Sequence, residues 1–177
     1  MCSPPETTDE VLDLVDENDT VIGHANRRDI HRLGLRHRAV HILVFDMDDH
    51  LLLQKRALHK DINPGLWDTS AAGHVEMGES YDDAARRELL EELDIQSPIN
   101  AIGQLQAEAE TGWEFIKIYR CHHPGQVNPD PNEIIETAWV PIGKINDRVR
   151  EEDPSLTLSF RRLWAEVQVQ SFLEFQP

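Results

Sequence analysis

The chain of 177 residues carries a net charge of −16 at pH 7, from 33 acidic and 17 basic side chains, and 40% of its residues are hydrophobic. This length and composition are typical of one globular domain that buries about 70% of its unfolded surface. The strong negative charge argues against nucleic acid polymers and anionic membranes as partners, because both bind basic surfaces.

The first nine residues contain Ser, Pro and Thr without an apolar pattern, which predicts a flexible tail ahead of a single domain over residues 10–177. The segment MCSPPETTDE lacks the basic and apolar regions of a signal peptide. No apolar run approaches the about 20 residues that span a membrane. Two cysteines, Cys2 and Cys121, are too few for a disulfide framework. We therefore expect a cytoplasmic protein, with the oligomeric state open and a homodimer among the alternatives.

The first half of the chain predicts strands and one short helix. VLDLVD and TVIGHA predict a β-hairpin around Glu17-Asn18-Asp19, and NRRDIHRLG predicts a helix that ends at Gly34. AVHILVFD and HLLLQK predict two further strands, rich in Val, Ile and Leu. A loop over residues 57–66 then leads into a strand over Trp67 to Ala72.

The second half predicts a long helix over residues 80–93, whose acidic first turn suits the helix dipole. Strands are expected near residues 101–108, at WEFIKIYRC and at IIETAWV, with the loop HHPGQVNPDPN between the last two. A final helix is expected to begin at Asp153-Pro154. Strands mixed with helices predict an α/β or α+β sandwich.

Three carboxylates of the long helix predict a cation site. Glu88, Glu91 and Glu92 lie three, four and one residues apart, which places them on one side of a helix within about one turn. Like charges at these spacings repel by a few tenths of a kcal/mol per pair. A hard divalent cation would relieve this repulsion, although a solvated charged face is the simpler alternative.

The run from Gly73 to Ile95, GHVEMGESYDDAARRELLEELDI, resembles the Nudix box, G-x5-E-x7-R-E-U-x-E-E-x-G-U, in which U is a bulky aliphatic residue. Gly73, Glu79 and Arg87 stand at the required positions. One position departs, because Asp94 stands where the box has its closing Gly. A left-handed residue is common at such a helix end, and Asp tolerates that conformation better than most residues.

The resemblance implies a Nudix α/β/α sandwich with a mixed sheet, to which the predicted hairpin adds an N-terminal extension. It also implies Mg²⁺ as cofactor, with Mn²⁺ as a substitute, held by Glu88, Glu91, Glu92 and the main-chain carbonyl of Gly73. One box glutamate acts as general base, with Glu88 favoured and Glu92 beside it, while Arg87 holds the carboxylates in place. Glu133, ahead of the strand IIETAWV, is a further candidate base or metal ligand.

A short basic segment, QKRALHK, stands out in an acidic chain, and its cations Lys55, Arg56 and Lys60 are candidates for binding phosphate. The longer stretch QKRALHKDINPGLWDTSAAGH resembles the segment before the box in type I isopentenyl-diphosphate isomerases, which share the Nudix fold. Their diphosphate-binding Arg and Lys fall at Arg56 and Lys60. The same resemblance implies a metal set of three histidines and a glutamate: His31, His37, His74 and Glu114. A second glutamate of that set falls at Gly112.

One residue argues against isomerisation. The isomerases need a catalytic cysteine just before the Gly-His pair, and this chain has Ala72 there. A methyl group cannot donate or accept a proton, and the chain retains the complete Arg-Glu-x-x-Glu-Glu block. The sequence therefore predicts a Mg²⁺-dependent hydrolase that cleaves the diphosphate linkage of a small substrate. An isomerase with a different acid and base, and a non-catalytic diphosphate- or nucleotide-binding module, are the alternatives.

Overall fold

The computed structural model describes residues 10–174, and side chains as far as residue 168. The predicted tail and its Cys2 lie outside the described residues. An antiparallel hairpin, β1 (Val11–Val15) and β2 (Val21–Asn26), leads directly into α1 (Arg27–Leu33). Gly34 ends α1 in the left-handed conformation, with φ 61°. The hairpin extension and the short helix are thus confirmed.

The main sheet is mixed and has seven strands. They are β3 (His37–Phe45), β4 (His50–Arg56), β5 (Trp67–Asp68), β6 (Ala71–His74), β7 (Asn100–Leu105), β8 (Glu114–His122) and β9 (Ile134–Pro141). The order is β5-β4-β3-β8-β7, while β6 pairs with β3 and β9 pairs with β4. Only the β3–β8 pairing is parallel among these described pairs. The predicted mixed sheet is confirmed.

Helices cover both faces of this sheet, because side chains along β3 alternate between two apolar clusters. Val40, Ile42 and Val44 pack with residues of α2 (Tyr81–Leu93). Leu43 and Phe45 pack on the other face, against α3 (Ile142–Arg150) and α4 (Leu158–Glu174). The arrangement is the expected α/β/α sandwich. No helix in residues 10–174 has the length and apolar character to cross a membrane.

The expected strand over Trp67 to Ala72 is wrong as a single element. It consists of β5 and β6, which pair with different strands, separated by Thr69 and Ser70. The hydroxyl of Ser70 donates to the carbonyl of Leu52 (2.6 Å) and accepts from the amide of Val44 (2.8 Å). These side-chain bonds replace part of the backbone ladder, so the chain crosses from one neighbour to the next here.

One helix and two boundaries in the second half also differ from expectation. α3 was not predicted, β7 ends at Leu105, and the last helix begins later than Asp153-Pro154. Asp153 instead closes a turn in which its carboxylate accepts from the Ser155 amide (2.9 Å). Thr157 caps α4, because its hydroxyl accepts from the amide of Phe160 (3.1 Å).

The C-terminal end of α2 explains how the chain accommodates Asp94. This residue is left-handed, with φ 57°, and its amide donates to the Leu90 carbonyl (2.9 Å). Its carboxylate accepts from the side-chain amide of Asn128 (3.2 Å). The loop between β8 and β9 also caps the helix, since the amide of Asp130 donates to the Glu92 carbonyl (2.9 Å). The expected left-handed turn is confirmed.

We predict that Asp94→Ala is less stable than Asp94→Gly by about 1 kcal/mol, because only Ala places a Cβ in the left-handed conformation. Both substitutions remove the bond to Asn128, so their difference isolates the backbone cost. Urea unfolding of the two variants measures it. Equal stability would show that the turn relaxes away from φ 57° once the carboxylate is gone.

Candidate active site

The guanidinium of Arg87 joins three elements around the box. It binds both carboxylate oxygens of Glu79, at 2.9 Å from Nε and 2.8 Å from Nη2. Nη1 donates to Glu88 (2.6 Å) and to Glu91 (3.3 Å), and Nη2 also donates to the main-chain carbonyl of His74 (3.0 Å). Arg87 therefore ties the loop before α2, the helix itself and β6 together.

Gly73 is required by a close approach between β6 and α2. A Cβ built at this position would lie 2.0 Å from Oε1 of Glu88, far inside van der Waals contact. The carboxylate of Glu88 thus lies directly against the Gly73 backbone. This contact brings together the strand and the helix that the box spacing links in sequence.

Glu88 and Glu92 are buried acids with raised pKa values. Burial raises the pKa of Glu88 to about 7, although Arg87 opposes the shift. Burial, together with repulsion from Glu88 and Glu133, raises the pKa of Glu92 well above its ordinary value. Glu92 accepts hydrogen bonds from the side chain of Gln54 (2.9 Å) and the amide of Ala72 (3.2 Å). By contrast, the side chain of Glu91 is 60% exposed.

The donor set of this cluster fits a hard divalent cation. Carboxylate oxygens are the ligands that Mg²⁺ and Mn²⁺ prefer. Within residues 10–168 no Lys, Arg or His forms an ion pair with Glu92. Buried neighbouring acids whose pKa values are raised are costly to ionise, and a bound cation would lower that cost.

The three cations of the basic segment all have partners. Lys60 pairs with Glu133, whose charge also contributes to the raised pKa of Glu92. Nε of Arg56 donates to the carbonyl of Ile62 (3.1 Å), and its Nη1 lies 3.9 Å from a carboxylate oxygen of Asp68. The structure thus places Lys60 and Glu133 beside the carboxylate cluster.

Lys55 takes a separate position. Its Nζ pairs with Glu136 (3.3 Å) and lies 5.6 Å from the centroid of the Trp67 ring. Lys55, like Arg56, is therefore held by contacts outside the carboxylate cluster.

Four residues predicted as a second metal set converge although they lie far apart in sequence. They come from α1, the start of β3, the end of β6 and the start of β8, and their potential ligand atoms all lie within 4.8 Å of one another: His31, His37, His74 and Glu114. We call this group the histidine cluster. Its ring centroids are 5.1–5.2 Å apart.

The protonation of the histidine cluster is uneven. Burial would lower the pKa of His74, but hydrogen bonds to Glu10 and Glu114 outweigh it and raise the pKa to about 9. Burial and the neighbouring histidines lower the pKa of His31 to about 4. Burial would raise the pKa of Glu114, but His37 and His74 hold it well below its ordinary value.

His37 provides a direct test of whether the histidine cluster suits a metal ion. Its Nδ1 bonds to the Leu35 carbonyl (2.9 Å), which leaves a lone pair on Nε2. This Nε2 is buried and has no hydrogen-bond partner among the described residues, although Oε1 of Glu114 lies 3.5 Å away. An orphaned imidazole nitrogen beside two further rings and a carboxylate fits a transition metal. Gly112 offers no side-chain ligand.

The two groups lie on opposite faces of β6. Gly73 faces Glu88 of α2, whereas the side chain of His74, the next residue, joins the histidine cluster. Sequence reasoning missed two residues that support these groups, Gln54 and Glu10. The buried Gln54 is a polar residue directly after three buried leucines, Leu51, Leu52 and Leu53, a signal that could have singled it out. Glu10 carries no such signal.

Comparison with known proteins identifies the family. The NUDIX domain family matches residues 35–160. An isopentenyl-diphosphate Delta-isomerase 2 of Photorhabdus laumondii is 34% identical over 95% of this chain and 98% of its own length. An uncharacterized Nudix hydrolase of Yersinia pestis is 36% identical over 90% of this chain and 88% of its own length. This chain belongs to the Nudix family.

A solved structure supports the same fold. The crystal structure of a Deinococcus radiodurans protein aligns with a TM-score of 0.75 and 26% identity, over 90% of this chain and 98% of that one. The predicted family and fold are therefore confirmed. Relatives named as isomerases and as hydrolases are similar to this chain to the same degree, so membership of the family does not choose between the two reactions.

We predict that Mg²⁺ stabilises the protein more at pH 8 than at pH 5.5. The folded pKa of Glu88, about 7, lies above its unfolded value of about 4.3. Its contribution to metal-free stability is therefore present below about pH 4.3 and lost as the pH rises through 7. Mg²⁺ binds the ionised carboxylate, so it offsets this loss of stability most at high pH.

Thermal unfolding with and without millimolar Mg²⁺ at the two pH values measures this effect. We expect the Mg²⁺-induced shift to be larger at pH 8 by at least roughly 2–4 °C, equivalent to about 1 kcal/mol. Glu88→Gln should reduce the difference. An equal shift at both pH values in the unmodified protein would contradict a metal site at these carboxylates.

Proposed function

We propose that the protein is a Mg²⁺-dependent hydrolase that cleaves the diphosphate linkage of a small substrate of the form nucleoside diphosphate-X. The observation that carries this proposal is the pair of buried, incompletely neutralised carboxylates, Glu88 and Glu92, held against β6. A bound cation would neutralise phosphate charge and make water more acidic. Glu88, Glu91, Glu92 and the carbonyl of Gly73 would hold it, and Mn²⁺ could replace Mg²⁺.

Glu88 is the proposed general base. In the metal-free protein burial raises its pKa to about 7, which makes its carboxylate more basic than that of an ordinary glutamate. Arg87 fixes the orientation of this carboxylate by a hydrogen bond of 2.6 Å. Glu133 is the alternative base or further ligand, because its charge acts on Glu92.

The reaction adds water across one P–O–P linkage. The water oxygen bonds to phosphorus, the bridging P–O bond breaks, and the water proton passes to the base. Two phosphomonoesters leave. Lys60 and Arg56 are the proposed ligands of the leaving phosphate, which would draw Lys60 away from Glu133. Lys55, bound to Glu136, has the weakest support among the three cations.

The histidine cluster is proposed as a second metal site, for an ion that suits imidazole ligands, such as Zn²⁺. This proposal rests on the convergence of its four ligand groups and on the orphaned Nε2 of His37. It agrees with the resemblance of the upstream segment to the isomerase branch.

Isopentenyl-diphosphate isomerisation is the second candidate, favoured by the names of several relatives. Ala72 argues against it, because its methyl group stands where the isomerases have their catalytic cysteine. Cys121 is not a substitute. Its thiol is buried in the apolar cluster on the α2 face, whereas the side chain of Ala72 points to the opposite face. A non-catalytic binding module ranks third, since the box carboxylates are intact.

We predict that Glu88→Gln and Glu92→Gln each lower hydrolysis, measured as the phosphomonoesters formed, by about 10²–10⁴-fold without unfolding the protein. The substrate is first found with Mg²⁺ and Mn²⁺ on a panel of nucleoside di- and triphosphates, sugar nucleotides, dinucleotides and isoprenoid diphosphates. Glu17→Gln, at an exposed turn, is the matched control and should retain full activity.

The same proteins are assayed for allylic diphosphate formed from isopentenyl diphosphate, which we expect to be absent. Formation of that product would replace the hydrolase with the isomerase. Full hydrolysis by both glutamine variants would refute the proposed mechanism. Tight metabolite binding without any turnover would favour the binding module.

A further inference from the structure

We propose that Glu10, supported by Arg27, is a positioning residue that orients His74 for the metal ion of the histidine cluster. This inference rests on the second metal site proposed above and assigns a role to the N-terminal hairpin. Neither residue belongs to the box or to the basic segment. Arg27 is the first residue of α1, and Glu10 immediately precedes β1.

The contacts of the His74 ring show what Glu10 does. Nδ1 lies 3.3 Å from Oε1 of Glu10. The opposite nitrogen, Nε2, lies 3.1 Å from Nε2 of His31 and 3.4 Å from Oε1 of Glu114. Metal binding displaces the proton on Nε2 of His74, and a carboxylate beside Nδ1 keeps the remaining proton there. The lone pair of Nε2 is then directed to the point where the other ligand atoms converge.

Arg27 holds Glu10 in place through both its backbone and its side chain. The Arg27 amide donates to the Glu10 carbonyl (2.9 Å), and Nε lies 3.5 Å from Oε2 of Glu10. Nη2 also donates to Asp61 (3.2 Å), in the loop after β4. The hairpin register, with Val11 opposite Asn26, places residues 10 and 27 together.

Burial distinguishes this arrangement from an ordinary surface ion pair. The side chains of Glu10 and Arg27 are 21% and 24% exposed, whereas that of Asp61 is 58% exposed. A partly buried carboxylate that contacts both an arginine and an imidazole is constrained on both of its oxygens. The N-terminal hairpin and α1 thus supply a ligand, His31, and the group that orients a second ligand, His74.

The test measures Co²⁺ binding to the full chain in millimolar Mg²⁺, which occupies the box carboxylates. The visible absorption of imidazole-bound cobalt reports the histidine cluster, and His31→Ala should remove most of it. Glu10→Leu, which removes the acceptor, should weaken Co²⁺ binding by about 10–100-fold. Glu10→Gln keeps an acceptor oxygen but loses the charge, so we expect a smaller loss in the same direction.

Asp61→Asn is the matched control, because it changes the other carboxylate that contacts Arg27 without touching His74, and it should bind Co²⁺ as the unmodified protein does. The metal-free melting temperatures of the variants separate lost positioning from lost folding. If Glu10→Leu does not fold, the Co²⁺ affinity of Glu10→Gln decides the test.

Affinity within twofold of the unmodified protein for the folded Glu10 variants would overturn the proposal. So would cobalt absorption that is unchanged in His31→Ala, since the ion would then be bound elsewhere. The outcome is independent of hydrolysis, because no substrate is used. Glu88→Gln should bind Co²⁺ at the histidine cluster normally even if the proposed reaction is wrong.

Discussion

The contact between Arg87 and its carboxylates is the interaction on which the candidate site depends. Five acceptor oxygens, from Glu79, Glu88, Glu91 and the carbonyl of His74, surround one guanidinium. Buried charges are strongly destabilising without a partner, often by 3–5 kcal/mol when one member of a pair is lost. Arg87 therefore permits acids to accumulate beside β6. It leaves Glu92 without an ion pair among residues 10–168, and a bound cation would allow this buried acid to ionise.

β6 divides the chemistry of the protein into two parts because adjacent residues in a strand face opposite sides. Gly73 has no side chain, so Glu88 can approach the strand from the α2 side. His74 extends an imidazole to the other side, where His31, His37 and Glu114 meet it. Hard oxygen ligands and borderline nitrogen ligands are thereby separated by one strand. Different metals could be selected on its two faces by ligand type alone.

The sequence predicted those features that follow from local geometry. Helical spacing places Glu88 and Glu92 on the side of α2 that faces β6, whereas Glu91 is exposed. The closing turn at Asp94 follows from the tolerance of Asp for a left-handed conformation. The break between β5 and β6 was not predictable, because it depends on bonds from Ser70 to two distant strands. α3 was missed because it has only nine residues and an internal Gly, although Ile142, Ile145 and Val149 recur at helical spacing. The role of Glu10 depends on hairpin register, and a register is a long-range property.

Ala72 shows how one position can separate two reactions within this fold. Its amide donates to Glu92 (3.2 Å) and so supports the carboxylate cluster on the α2 face. Its side chain points to the opposite face, where its strand partner is His41. The backbone contact is available to any residue except proline, whereas the side chain is free to vary. A cysteine at this position, as in the isomerases, would add a proton donor on the histidine face while the amide bond to Glu92 is kept. The methyl group of this chain leaves the reactive groups on the carboxylate side, which is why the proposed chemistry is hydrolysis.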